Sequence, residues 1–372
     1  MSDYQAWLDA TYAKIVAKVT AELGRLGDSA IPYIATNDRY DDIGAKDICW
    51  WTNGFWGGIL WQLYHATGDE QYATAARANE VRLDQAFLEF KGLHHDVGFM
   101  WLPTAVADYR LTKDDRAMQR GLHAAELLAG RYNPRGQFIR SWNRDRAGWV
   151  IIDSMFNIQL LYWASDALGD PRFKFIANDH ADKVMHNIVR PDGSVAHIAV
   201  FDPNNGDLLE TLGGQGYGVG SSWSRGQAWA ISGFALAYAH TKNPAYLATA
   251  KRVANYFIAN VATTGDVPLV DFRAPKTPVL IDTSASACAA CGMLEIAKHV
   301  PALEQSLYID AAIKMLQAID AKHTDWDLAH DGIVTDATAA YHDQVVEQKI
   351  IYADYYFIEA ILRLRQQDFL LW

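Results

Sequence analysis

Asp153 stands in the stretch GWVIIDSMFNIQLLYWA (Gly148 to Ala164), flanked by Trp149, Val150, Ile151, Ile152, Met155 and Phe156 with no adjacent Lys or Arg. A carboxyl group among apolar neighbours resists ionisation, because burial disfavours the charged form. If it keeps its proton near neutral pH, it can act as a general acid. Two plainer readings compete with that one. Aspartate is a common helix N-cap, where the helix dipole lowers its pKa. A buried carboxylate is also commonly half of an ion pair. Asp96, in GLHHDVGFMW, is the candidate for a second carboxylate, since it begins an inner helix one hairpin earlier. A like charge close by would push Asp153 higher still.

Other polar and aromatic residues gather at equivalent places. Asn53 lies in WWTNGFWGG, Arg225 in GSSWSRGQAW, Asp282 in LIDTSASA and Asp354 in IYADYYF. Asp282 reads as a helix cap and Asp354 as structural. Arg225 is the natural partner for a sugar carboxylate. Trp51, Trp56, Trp142, Trp149, Trp223 and Trp229 sit at the same loops or helix starts, where flat rings can stack on pyranose faces. The consecutive triplet His94-His95-Asp96 is not expected to place three side chains on one ion, and no spaced zinc pattern supports a metal. One of the two histidines is expected to bond a substrate hydroxyl or orient Asp96. The glycine-rich and serine-elbow patterns of nucleotide, dinucleotide and esterase sites are missing.

These residues need elements to hold them, and the chain is rich in helical periodicity. Helices are expected over 3–24, 54–67, 70–90, 97–110, 114–130, 153–168, 171–188, 225–241, 244–261, 283–298, 303–321 and 349–366. Gly68-Asp69, Gly169-Asp170-Pro171 and Asn243-Pro244 stop one helix and start the next within a few residues. The twelve helices therefore pair into six antiparallel hairpins, which close naturally into an all-α, (α/α)6 ring with an inner and an outer layer. Residues 194–202 (SVAHIAVFD) are the best candidate for a short strand pair. The short turns fall at one end. The long loops 25–53, 131–152, 189–224, 262–282 and 322–348 fall at the other, and long loops in a compact chain are usually functional. Residues 1–372 are expected to form one catalytic domain.

Composition narrows the function further. The chain has 372 residues, half hydrophobic, with a formal net charge of −11. It carries no basic run, so nucleic acid is not an expected partner. An anionic substrate would need a local cationic site. No stretch is long and apolar enough for a membrane span, and the first residues do not have the layout of a signal peptide. The odd count of three cysteines, Cys49, Cys288 and Cys291, fits reduced thiols and a cytoplasmic location. The spacing of Cys288 and Cys291 is one helix face, and no metal or organic cofactor is expected. The oligomeric state is left open.

In order along the chain, WTNGFWGGILWQLY, HHDVGFM, IIDSMFNIQLLYWA, FDPNNGD, GSSWSRGQAWAISGFALAY, DTSASACAACGMLEIA and DYYFIEAILRL resemble the unsaturated glucuronyl hydrolases of glycoside hydrolase family 88. The resemblance spans about Trp51 to Leu364 and implies an (α/α)6 barrel. It implies a substrate left by polysaccharide lyases, an oligosaccharide ending in a 4,5-unsaturated uronic acid. It also implies that an aspartic acid matching Asp153 protonates C4 of the double bond and that Asp96 matches the second essential carboxylate. His95, His197 and Gln215 match residues around the unsaturated sugar. Trp51, Trp142, Trp223, Arg225, Trp229 and Tyr341 match its aromatic and cationic lining. The chain departs from the family at Tyr352-Ala353, where members tend to carry Trp-Gly, and at DQVVEQK (343–349), which replaces a Gly- and Arg-containing loop. Competing readings are an unsaturated rhamnogalacturonyl hydrolase, a sugar isomerase of the same barrel type, and a sugar-binding protein without catalysis. The isomerase reading is the weakest, because it needs histidine pairs where carboxylates stand here.

Overall fold

The computed structural model describes residues 4–143, 145–369 and 371–372. Among them, helices alternate along the chain between an outer and an inner layer. The outer layer is Gln5–Leu26, Glu70–Glu89, Asp115–Ala129, Pro171–Asn187, Pro244–Val261 and Ala302–Lys322. The inner layer is Phe55–Thr67, residues 97–112, residues 154–168, Ser224–Thr241, Thr283–Ala297 and Ile351–Leu364. Inner helices are buried nearly all round: every residue of Thr283–Ala297 is buried. Outer helices bury only a stripe, as Tyr246, Thr249, Ala250, Val253, Ala254 and Phe257 do in Pro244–Val261. Each inner helix packs on the next, and Ile351–Leu364 packs back onto Phe55–Thr67, which closes the ring.

The short turns follow the expected chemistry. Gly68 and Gly169 take left-handed φ values of 71° and 66°, which cost glycine nothing. Asp69, Asp170 and Asn243 then cap the next helix through the N–H groups of Gln71, Arg172 and Ala245.

Expected boundaries hold to within a few residues, and two local features inside them are informative. Residues 97–112 include a π-helical stretch, Leu102–Val106, at Pro103, whose ring cannot donate into the helix ladder. The last inner helix begins at Ile351 because Lys349–Ile350 pairs as a strand with Ile34–Thr36. The strand expected near 194–202 is Ile198–Phe201. Its partners are Trp149–Ile151, from the loop 131–152, and Leu208–Leu212, later in its own loop, in an antiparallel sheet with Ile151 opposite Ile198 and Ile198 opposite Leu212. The long loops meet on one rim: Tyr341 N–H donates to Gln215 O at 2.8 Å, and Thr283 N–H to Asp336 O at 3.3 Å.

Candidate active site

Asp153 lies between the rim strand Trp149–Ile151 and the helical turn Ser154–Asn157. The residues on either side of it are locked. His180, from an outer helix, accepts the N–H of Ile139 on Nδ1 (2.9 Å), so its proton sits on Nε2 and points at Ser154 Oγ, 2.7 Å away. Ser154 Oγ in turn donates to Ile151 O at 2.6 Å. Ser141 accepts the N–H of Ile151 on its Oγ (2.9 Å) and the N–H of His95 on its carbonyl (3.2 Å), tying the two carboxyl-bearing segments together.

The Asp153 side chain itself is not a cap. It is 15% exposed, and its Oδ1 has no hydrogen-bond partner. Burial, and then the charge of Asp96, push its pKa well above the ordinary carboxyl value. The N–H of Ser154 and the more distant Arg225 pull the other way but do not win. Asp153 therefore holds its proton more tightly than an ordinary carboxyl group does.

Asp96 is driven in the opposite direction. Burial alone would raise it, but His95, His94 and the Asn157 amide outweigh burial and hold it at about 2. His94 Nδ1 is 3.1 Å from Oδ2, His95 Nε2 is 3.3 Å from Oδ1, and Asn157 Nδ2 donates to Oδ1 at 2.9 Å. His95 Nε2 also lies 3.7 Å from Asp153 Oδ1, so one imidazole faces both acids. Burial keeps His95 neutral, with a pKa of about 3.

His197 is also neutral, at about 3, because of burial and the nearby Arg225. Its Nδ1 accepts the N–H of Gln215 at 2.8 Å, so the proton is on Nε2, which has no partner. The Trp223 ring packs against this imidazole, with ring centres 4.6 Å apart. Gln215 is fixed by Nε2 donating to Ala339 O at 2.8 Å, and its carbonyl receives Tyr341 N–H, so Gln215 and Tyr341 sit together on the rim. Trp51 is half-buried against Tyr352 and Phe99, with ring centres 5.3 and 5.5 Å away. Tyr352, the departure from the family pattern, thus shares the floor with Trp51. Trp142 is half-buried near Trp149. The exposed Arg146, which the sequence reading did not single out, lies 4.8 Å from the Trp142 ring and 4.7 Å from the Trp149 ring.

Several expectations are corrected. Arg225 is not an open cation. It is 1% exposed, ion-paired with Asp282, and donates to Thr338 O (2.8 Å) and Ala339 O. A guanidinium is expensive to bury without a carboxylate, and Asp282 supplies one while also capping Ser284 N–H. Asn53 is fully buried, and its amide donates to Asp47 O (3.0 Å) and Ile48 O (2.9 Å), so it fastens a loop. Trp229 is 1% exposed and packs among Phe99, Phe156 and Tyr356 as barrel core. Trp223 is nearly as deep, between His197 and Arg225. The triplet His94-His95-Asp96 does converge: one side-chain atom from each lies within 4.8 Å of the others, so spacing does not keep them apart. In this structure those atoms are gathered around the Asp96 carboxylate. Sequence reading missed Asn157, Ser141 and His180, whose partners Asp96, Ile151, Ile139 and Ser154 are 10 to 61 residues away.

No family model matches the sequence. The chain is 38% identical over 328 residues to an unsaturated glucuronyl hydrolase of Bacillus sp. strain GL1, covering 85% of this chain and 86% of that relative. It is 33% identical over 341 residues to an unsaturated chondroitin disaccharide hydrolase of Streptococcus pyogenes serotype M1, covering 89% and 85%. The chain belongs to the unsaturated glucuronyl hydrolases. The crystal structure of the Bacillus sp. GL1 enzyme matches with a TM-score of 0.90 at 35% identity, over 95% of this chain and 97% of that one. The Streptococcus agalactiae unsaturated glucuronyl hydrolase matches with a TM-score of 0.91 at 30% identity, over 98% and 93%. A variant of that enzyme was crystallised with dGlcA-GalNAc6S. This unsaturated glucuronyl hydrolase is accordingly a glycoside hydrolase on an α/α barrel.

Proposed function

We propose that this unsaturated glucuronyl hydrolase releases a non-reducing-end 4,5-unsaturated glucuronic acid from lyase-generated oligosaccharides, by acid-catalysed hydration of the vinyl ether. Asp153 donates its proton to C4. Positive charge then develops at C5 and the ring oxygen, where the ionised Asp96 stabilises it and assists water at C5. The resulting hemiketal opens, the glycosidic bond is lost, and a keto-uronate leaves. One imidazole faces two carboxyl groups whose surroundings push their pKa values in opposite directions, and that arrangement carries the reading. It differs from ordinary glycosidases, whose paired carboxylates act at C1.

His95, His197, Gln215 and Tyr341 surround the unsaturated sugar in this reading, with Trp51 and Trp142 as stacking faces. The neutral Nε2–H of His197 serves as a donor to a sugar oxygen. Asn53, Trp223, Arg225 and Trp229 support these groups from behind. The relatives' names, glucuronyl and chondroitin disaccharide hydrolases, favour a glycosaminoglycan-derived substrate. The whole ring works as one catalytic domain. Three buried free thiols suit a reducing cytoplasm, and among the described residues no helix is long and apolar enough to cross a membrane.

The test is optical, because the conjugated uronate absorbs in the ultraviolet and hydration bleaches it. Unsaturated disaccharides from chondroitin, hyaluronan, heparin, gellan and ulvan form the panel. Asp153→Asn is expected to lower the bleaching rate on the order of 10²- to 10⁴-fold while disaccharide binding persists. Near-normal turnover by that variant would remove Asp153 from the role of acid.

A further inference from the structure

Asn157 takes no part in the chemistry above, yet it is fully buried one turn after Asp153. Its Oδ1 accepts the N–H of Phe99 at 2.9 Å. An N–H can face only the oxygen of the amide, so the NH2 end must point the other way. There it donates to Asp96 Oδ1 at 2.9 Å and more loosely to Asp153 O at 3.4 Å. One side chain thus grips the first turn of both helices that carry the carboxyl groups. Gly98 brings those helices to their closest approach: a Cβ there would lie 2.4 Å from Asn157 Cα and 2.6 Å from its carbonyl oxygen. Both are backbone atoms, so only glycine lets the two segments come this close.

We propose that Asn157 is a positioning residue that aims Asp96 at the reacting carbon and favours its ionised form through a donor that carries no charge. This rests on the reading of Asp96 as the assisting carboxylate. An amide N–H bonds the carboxylate better than the neutral acid, and because Oδ1 is occupied, the carboxyl group cannot rotate freely. Asp96 is also faced by His94 and His95 from its own segment, by Asp153 from the neighbouring helix start, and at longer range by Arg131. None of these holds both helices at once.

Asn157→Asp keeps the size and the acceptor for Phe99 N–H but replaces the donor with an acceptor. Expected are a kcat lower on the order of 100-fold, a KM within about threefold of the parent, and an acid limb of kcat/KM displaced to higher pH. The exchange variant Asp96→Asn/Asn157→Asp restores an amide–carboxylate pair. It is expected to recover Tm relative to Asn157→Asp without recovering turnover, and it remains informative if Asn157→Asp does not fold. A purely structural Asn157 would lower Tm without moving the acid limb, and that result overturns the proposal, as does an exchange variant no more stable than Asn157→Ala. Asp96→Asn separates the two levels. If it keeps turnover, the functional reading fails. If it is inactive while Asn157→Asp has a normal rate and profile, only the role of Asn157 fails.

Discussion

At the scale of single residues, the acid assigned to catalysis is a burden on folding. Asp153 has a folded-state pKa raised by burial and by Asp96, against an unfolded value of about 3.9. Between those two values the folded chain binds more protons than the unfolded one, so stability falls as pH rises through that window. Asp96 has the opposite sign: its depressed pKa contributes stability above about pH 4 that is lost only as pH drops toward its folded value of about 2. Asp153→Asn removes the first burden and keeps the shape. Its Tm at pH 7 is expected to exceed that of the parent by a few degrees, with the difference vanishing below about pH 4, where the parent carboxyl is protonated in both states. Calorimetry at the two pH values checks this. A variant less stable than its parent at pH 7 would mean that the carboxylate has a stabilising partner. The sequence shows only part of this balance: the apolar flanks of Asp153 and the two histidines beside Asp96 are visible in it, whereas Asn157 reaches Asp96 from 61 residues away, a contact that only the fold creates.

At the scale of elements, the helices were legible and their side-chain commitments were not. A 3.6-residue apolar period and a Gly-Asp or Asn-Pro stop are local properties, so hairpin boundaries could be placed to within a few residues. What Arg225 does depends on Asp282, 57 residues on, and on the carbonyls of Thr338 and Ala339 more than 110 residues on. Nothing near Arg225 in the chain announces that its charge is already matched. The pair also fixes the rim, because Ala339 is the residue that Gln215 grips and Tyr341 follows two positions later. Arg225→Met should destabilise by about 3–5 kcal/mol in urea denaturation, since it leaves Asp282 buried without its partner. Arg225→Met/Asp282→Leu removes both charges and should recover most of that loss. Its turnover should stay low, because the loop at 338–341 loses its anchor. A double variant as unstable as the single one would show that the pair, and not the orphaned carboxylate, sets the energy.

At the scale of the molecule, six inner helices closed into a ring must fill their own axis. The count of hairpins makes closure readable, but not the filling. The expected helices end at 366 and give no place to the last residues, QDFLLW. Instead, Trp372 is 1% exposed and turned into the barrel, where its Nε1 donates to Glu359 Oε2 at 2.9 Å. Its ring centre lies 4.8 Å from that of Phe156 and 6.0 Å from that of Phe99. Phe99 and Phe156 are each three residues beyond a proposed catalytic carboxylate, in the first turns of the helices that Asn157 joins. A residue at the far end of the chain is therefore part of the floor beneath the chemistry. Trp372→Ala should cost about 3–5 kcal/mol, for the lost indole together with the cavity it leaves, while Glu359 keeps its pairing with Arg363. If the floor is continuous, kcat should fall along with stability even at temperatures where the variant is fully folded, because both helix starts gain room to shift. A folded Trp372→Ala enzyme with unchanged kcat would separate the axis from the site and confine the tail to stability alone.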